Sequence, residues 1–268
     1  MKLTLGFSSC PNDTFMFDAL VHNKIDVEGL EFDIVIEDVE QLNLMTLDKR
    51  LDITKLSYNA FLSCFQDYII LNSGSAFGLN SGPLFVSAYD RIINQNSKIW
   101  IPGKYTTANM LLSIFYPKFQ NKSTYVFSEI EDAIISKNID AGVIIHENRF
   151  TYKEKGLKKI ADLGKLWKKE TNLPIPLGGI AIKRNIPNQI QEKVNRVLHN
   201  SINYALNNKM SSFEYVKSHA QEMTEDVIYK HIDLYVNDFS ISLNKIGKQA
   251  ILELFNKHNK DACDIFLI

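Results

Sequence analysis

The sequence predicts an α/β protein of two lobes, the first of them discontinuous along the chain, and three observations carry that reading. Short alternating apolar runs pass repeatedly into helical patterns, as in residues 3–7 before Phe15, Met16, Ala19 and Leu20, and 98–101 before Leu111, Leu112, Ile114 and Phe115. An apolar residue, an Asp and a short strand ending on polar groups occur in that order twice, at Leu51-Asp52 running to Ser57 and at Ile139-Asp140 running to His146, one copy per lobe. Between the copies lie the turn-rich residues 72–83 and then the strand 84–89, just after which an outward crossing is expected, and beyond them the proline-bearing residues 173–182 mark the return crossing. The expected division is 1–88 plus 183–268 for the first lobe and 89–182 for the second. With 268 residues and 45% apolar content the chain has the material for a substantial core.

In order along the chain, Leu3, Leu5 and Phe7 alternate with Thr4 and Gly6 to give a first strand, which turns through residues 8–11 into a helix capped by Asn12 or Asp13. Such a turn leaves amide donors and hydroxyls at the carboxyl edge of a sheet, so it reads either as a ligand site or as an ordinary cap above a packed Cys10. The helix stops near Asn23. Residues 30–36 alternate as a second strand, and Asp38 caps a helix holding Leu42, Met45 and Leu47. A turn at Asp52 leads into a short strand carrying Lys55, Ser57 and Tyr58 towards its end. Residues 84–89 give another strand, with the crossing expected just after it. The second lobe opens with the strand 98–101 and a helix whose N-cap position falls on Thr106 or Thr107; their hydroxyls and the following amides suit a carboxylate or phosphate as well as they suit plain capping. A buried strand then runs to His146. Helical segments around Phe150 and Tyr152 and around Leu163 and Trp167 follow. Pro174 and Pro176 fix an extended approach, and Gly178-Gly179 admit backbone or ligand close to the next strand. Helices near 188–207, 211–219, 224–235 and 245–258 are expected to pack on the first lobe.

Composition removes several classes of function. A net charge of −1 gives no electrostatic footprint for nucleic acid, and the lysine-rich residues 153–169, interrupted by Glu154 and Asp162, read as a solvated face. Cys10, Cys64 and Cys263 show no CxxC spacing, so neither a disulfide framework nor a zinc knuckle is expected and a reducing compartment is the default. No apolar run is long enough to span a bilayer, and a first strand entered by Leu3 leaves no room for a signal peptide; the expectation is a soluble, cytoplasmic protein without membrane association. Of six histidines, His22, His199, His219, His231 and His258 fall in or at the ends of amphipathic helices and read as surface or capping residues. His146 differs, because it ends a run of apolar strand residues where a cleft between lobes would open; it is either a base or ligand contact or a satisfied core histidine. The continuation His146-Glu147-Asn148-Arg149-Phe150 is not HExxH, and no Walker loop or GxGxxG fingerprint is found. No metal or organic cofactor is called for.

Residues 6–15, Gly-Phe-Ser-Ser-Cys-Pro-Asn-Asp-Thr-Phe, with Asp18-Ala19-Leu20, resemble the N-terminal signature of the 1,4-dihydroxy-6-naphthoate synthases, a family of menaquinone-biosynthetic enzymes. Lys55-Leu56-Ser57, the segment 102–109 (Pro-Gly-Lys-Tyr-Thr-Thr-Ala-Asn) and Ile145-His146-Glu147 fall in the family's order at similar spacing, so the resemblance spans essentially the whole chain. Ser9 departs from the proline of many members, within a turn. The resemblance implies a two-lobed fold similar to type II periplasmic binding proteins, with the ligand enclosed between lobes. It also implies a lyase that cleaves cyclic dehypoxanthinylfutalosine to 1,4-dihydroxy-6-naphthoate in the futalosine route to menaquinone. Carried over by position, Lys55, Leu56 and Ser57 match a substrate-contacting segment, Thr106, Thr107 and Ala108 the region of a second contact, and His146 the proton acceptor; Asn12 joins the substrate contacts from its place in the signature turn. The implied partner is a small carboxylated cyclic nucleoside derivative. Releasing an aromatic naphthoate asks for removal of a proton next to a carbonyl, and an imidazole with an ordinary pKa of about 6.5 is able to accept it near neutrality. Two rivals share the architecture: a non-catalytic solute-binding protein, and the sibling chorismate dehydratase, from which the Cys-Pro-Asn-Asp-Thr turn and His146 point away.

Overall fold

The computed structural model describes residues 2–146, 148–220 and 224–267. Its strands are β1 (Lys2–Phe7), β2 (Glu31–Ile36), β3 (Ile53–Ser57), β4 (Tyr68–Ile70), β5 (Ala76–Gly78), β6 (Leu84–Ala88), β7 (Ile99–Ile101), β8 (Lys122–Thr124), β9 (Ala141–Ile144), β10 (Leu157–Asp162) and β11 (Ile175–Lys183). They form two sheets. The first has the order β2-β1-β3-β11-β4 with β5 on β11, and the second has the order β10-β6-β9-β7-β8. The chain accordingly divides into two compact units, Met1–Phe77 with Pro176–Ile268, and Gly78–Ile175.

In the first unit β1 pairs in parallel with β2 and β3, while β11 returns antiparallel to β3 and β4. Leu3, Leu5 and Phe7 point from β1 into a core shared with Phe15, Phe17, Leu20, Ile180 and Ile202. The rings of Phe7 and Phe17 stack with centroids 4.6 Å apart. The helix Pro11–Val21 is buried from Pro11 to Leu20 because the helix Asn188–Asn207 lies against it. Ser201 ties the two together: its hydroxyl donates to the Met16 carbonyl (2.6 Å) and accepts the Leu20 amide (3.1 Å). That helix is capped by Cys10, not by Asn12 or Asp13, which lie in its first turn. Pro11 is the reason, since its fixed φ and missing N–H suit the first helical position and start the helix early. Asp38 does cap the next helix, Val39–Leu47, accepting the amides of Glu40 (2.8 Å) and Gln41 (3.1 Å).

In the second unit β6 runs antiparallel to both β9 and β10, and β7 is parallel to β8 and β9. Leu84, Val86 and Ile144 of this sheet pack with Ile130, Ile134, Tyr152 and Leu157. These pairings move both crossings relative to the sequence expectation. Because β6 belongs to the second sheet, the outward crossing falls after Phe77 and not after residue 88; because β11 pairs with β3 already at Gly178, the return falls after Ile175 and not after residue 182. β9 also ends earlier than expected, at Ile144, so His146 belongs to the turn that follows the strand.

Candidate active site

In the first unit the predicted site residues lie at the carboxyl ends of two adjacent parallel strands, β1 and β3, paired Leu5 to Ile53 and Gly6 to Thr54. This is the edge at which open α/β sheets bind ligands. Beyond β1, the Asp13 carboxylate is 1% exposed and collects four donors. Its Oδ2 accepts the Ser8 hydroxyl (2.6 Å) and the Ser8 amide (3.2 Å), and its Oδ1 accepts Asn12 Nδ2 (2.7 Å) and Lys55 Nζ (2.6 Å). Asp13 is thus the buried counter-ion of Lys55, and the pair joins the turn after β1 to β3. A buried ion pair of this kind holds only if the remaining lone pairs are satisfied, as they are here by Ser8 and Asn12. Asn12 is held from its other end, where Oδ1 meets His231 Nε2 at 3.0 Å.

Lys55 and Ser57, two residues apart on a strand, share one face of β3, and Leu56, fully buried, takes the other. Ser57 is gripped at two points by Asn43: its amide donates to Asn43 Oδ1 (2.9 Å), and its hydroxyl oxygen accepts Asn43 Nδ2 (3.2 Å). Asn43 Nδ2 also reaches Glu40 Oε2 (3.1 Å). Gly178, opposite Ser57 in the antiparallel ladder, has no room for a side chain: a Cβ there would sit 2.6 Å from the Leu56 carbonyl oxygen. What Gly178 admits is therefore the backbone of β3.

The second unit repeats the arrangement. β7 and β9 are adjacent and parallel, with Ile99 opposite Ala141 and Trp100 opposite Gly142, and the residues of interest follow their carboxyl ends. After β7, Thr106 caps the helix Thr107–Phe115: its hydroxyl donates to the Gly103 carbonyl (2.8 Å) and accepts the Asn109 amide (3.2 Å). Capping thus engages Thr106, while Thr107 and Ala108 form the buried first turn, where helix amides collect. After β9, half-buried His146 has φ of +56°, a left-handed conformation uncommon for any residue but glycine. Its ring meets Phe127 edge-on, centroids 4.7 Å apart and planes at 68°. Two residues on, Asn148 opens the helix Asn148–Thr151 and donates to Glu131 Oε2 (2.8 Å), which also takes Lys155 Nζ (2.7 Å). Burial pushes the Glu131 carboxyl up, and Lys155 works against that rise. Glu147 lies outside the described residues.

Three participants were not singled out in the sequence. Asp13 was read as a cap; its separation of 42 residues from Lys55 hides the ion pair. His231 was sorted with the surface histidines, but it is fully buried. Ile228, His231, Ile232 and Tyr235 recur at helical spacing on the buried face of the helix Glu225–Tyr235, a pattern that does mark the residue. Asn43 carries no local signal, since only the fold sets it beside Ser57. Among the described residues no group of three or more His, Cys, Asp or Glu side chains is gathered to hold a metal ion. Also among them, no helix is long and apolar enough to cross a membrane.

Comparison with known proteins gives consistent results. A family profile described as menaquinone biosynthesis matches residues 3–260. The 1,4-dihydroxy-6-naphthoate synthase of Thermus thermophilus is 38% identical over 253 residues, which is 94% of this chain and 92% of that protein. The crystal structure of protein AF1704 from Archaeoglobus fulgidus is similar with a TM-score of 0.92 at 32% identity, covering 96% of this chain and 97% of that one. At 13% identity, the ligand-binding component of an ABC-type import system from Staphylococcus aureus has a TM-score of 0.72 over 100% of this chain and 96% of its own, a likeness of fold alone.

Proposed function

The chain belongs to the menaquinone-biosynthesis family and within it to the 1,4-dihydroxy-6-naphthoate synthases, which are enzymes, and from that premise we propose that it converts cyclic dehypoxanthinylfutalosine to 1,4-dihydroxy-6-naphthoate with His146 as the proton acceptor. The fold is that of the type II periplasmic-binding-protein class, here carrying a biosynthetic enzyme. The observation that weighs most for the base is His146 itself. It stands after the carboxyl end of β9, in a turn whose left-handed backbone, shared with seven other described non-glycine residues, costs of order 1 kcal/mol; among those eight it is the one histidine, and it follows a buried parallel strand at its carboxyl end. Its neighbours support a fixed ring, with Phe127 against the imidazole and the Asn148–Glu131 bond bracing the chain just beyond.

In this reading Lys55 and Ser57, on one face of β3, offer a cation and a hydroxyl to an acidic substrate, with Leu56 fixing the strand beneath and Asn12 holding the Asp13–Lys55 pair in place. Thr106, Thr107 and Ala108 supply the second contact through the start of their helix. The lyase step begins when the imidazole takes a proton next to a substrate carbonyl, and formation of the aromatic naphthoate drives the bond cleavage that follows. A single base of this kind contributes about 10²–10⁴-fold to a rate.

The test is direct. Purified protein is supplied with the cyclic nucleoside, and the naphthoate is sought by mass; His146→Ala is expected to lower kcat by at least about a hundredfold while the dissociation constant for the product stays within a few-fold. Substantial naphthoate production by His146→Ala removes this residue from the base role, and turnover of chorismate in place of the nucleoside overturns the substrate assignment.

A further inference from the structure

We propose that Asn43, which the site residues carried over from the family do not include, is a positioning residue that makes Ser57 a hydrogen-bond donor to an anionic oxygen of the substrate. This inference rests on the substrate contact proposed for Ser57. A backbone N–H only donates, so the Ser57 amide, 2.9 Å from Asn43, must face the amide oxygen Oδ1. That orients the whole side chain and turns Nδ2 towards the Ser57 hydroxyl (3.2 Å) and the Glu40 carboxylate (3.1 Å). Both hydrogens of Nδ2 are then engaged, and Ser57 Oγ is an acceptor in this contact.

The hydroxyl's own hydrogen is left over. Ser57 precedes the helix Tyr58–Cys64 but makes no side-chain cap bond to it, and among the described residues no acceptor for the Ser57 hydroxyl is found. Asn43 is fully buried and Glu40 is 7% exposed, so the clamp does not yield to solvent. On the same face of β3 stands Lys55, whose ammonium carries three donors, one of them on Asp13. A cation and a hydroxyl whose hydrogen is unspent, on one face, select an anionic acceptor, a carboxylate, over a neutral carbonyl, since hydrogen bonds to charged partners are about twice as strong.

The experiment measures binding of 1,4-dihydroxy-6-naphthoate and its methyl ester by calorimetry in the whole chain. The variants are Ser57→Ala, Asn43→Ala, Asn43→Asp and the double variant Ser57→Ala with Asn43→Ala, with thermal unfolding as a check of folding. Wild type is expected to prefer the acid to the ester, and Ser57→Ala to weaken the acid by roughly tenfold to a hundredfold. Asn43→Asp keeps an acceptor for the Ser57 amide but draws the hydroxyl hydrogen to itself, so the preference for the acid should collapse although residue 57 is unchanged. In the double variant the loss should match that of Ser57→Ala alone, because Asn43 acts through Ser57. Additive losses, or an acid-to-ester ratio that Asn43→Asp leaves untouched, overturn the proposal and leave the function standing. A wild-type chain that binds neither compound overturns both.

Discussion

At Asp13 a charge is buried for the sake of position. The carboxylate holds Lys55 on the adjacent strand β3 and draws Ser8 and Asn12 around itself, so the turn after β1 is tied to β3. Removing the cation leaves the anion uncompensated at 1% exposure, and Lys55→Met should cost about 3–5 kcal/mol in urea unfolding, with Asp13→Asn in the same chain recovering part of it. Equal stability of Lys55→Met and wild type would show the pair to be incidental. Several of these residues are visible in the sequence as members of a strand–turn–helix unit, yet their partners are not. Hydrogen-bonding types and strand ends are local properties; the links from Asp13 to Lys55, from Asn43 to Ser57 and from Asn12 to His231 are set by which strands pair and which helix returns.

Among elements, the join between β1, β3 and β11 shows the same economy around Asp52. Its Oδ2 accepts the amide and hydroxyl of Thr4 (both 3.0 Å), its Oδ1 takes Lys183 Nζ (3.0 Å), and its own amide donates to Thr4 Oγ1 (2.8 Å). Burial alone pushes this carboxyl up, but the Thr4 donors and the Lys183 ammonium together hold it below its ordinary value. A carboxyl depressed in the folded state stabilises the fold above its unfolded pKa of about 3.9, and that contribution fades as pH falls through the lower folded value. Asp52→Asn should therefore cost about 1–2 kcal/mol near neutrality, with the gap to wild type closing in acid, as read from urea midpoints across pH. A gap that stays constant with pH would assign the cost to packing instead. Strand alternation and the Asp38 cap were legible at this scale, because each depends on a few adjacent residues; the cap of the helix Thr107–Phe115 was narrowed to Thr106 or Thr107, and that of the helix Pro11–Val21 was placed too late. The crossings were not: the alternating residues of β6 satisfy a strand in either sheet, and only pairing with β9 and β10 decides between them.

For the whole chain, the two units differ in how they are closed. Gly78–Ile175 contains all of its sheet from β6 to β10, and its core draws Leu84, Val86, Ile130, Ile134, Ile144 and Leu157 from within one continuous segment. The other unit is completed by the C-terminal part of the chain, which inserts β11 between β3 and β4 and lays the helix Asn188–Asn207 on the helix Pro11–Val21. Residues 1–77 by themselves would expose Phe7, Phe15 and Phe17, whose core neighbours include Ile180, Leu198 and Ile202, and would leave β3 paired with β1 alone, without β11 on its other edge. Folding of that unit thus waits on sequence more than a hundred residues away, as the Ser201 bonds to Met16 and Leu20 (separations of 185 and 181) illustrate. Expressed separately, 78–175 should give dispersed amide resonances and a cooperative guanidinium transition, whereas 1–77 should give neither. If 1–77 unfolds cooperatively, or 78–175 does not, the burial that closes each unit comes from elsewhere than the sheets and helices named here.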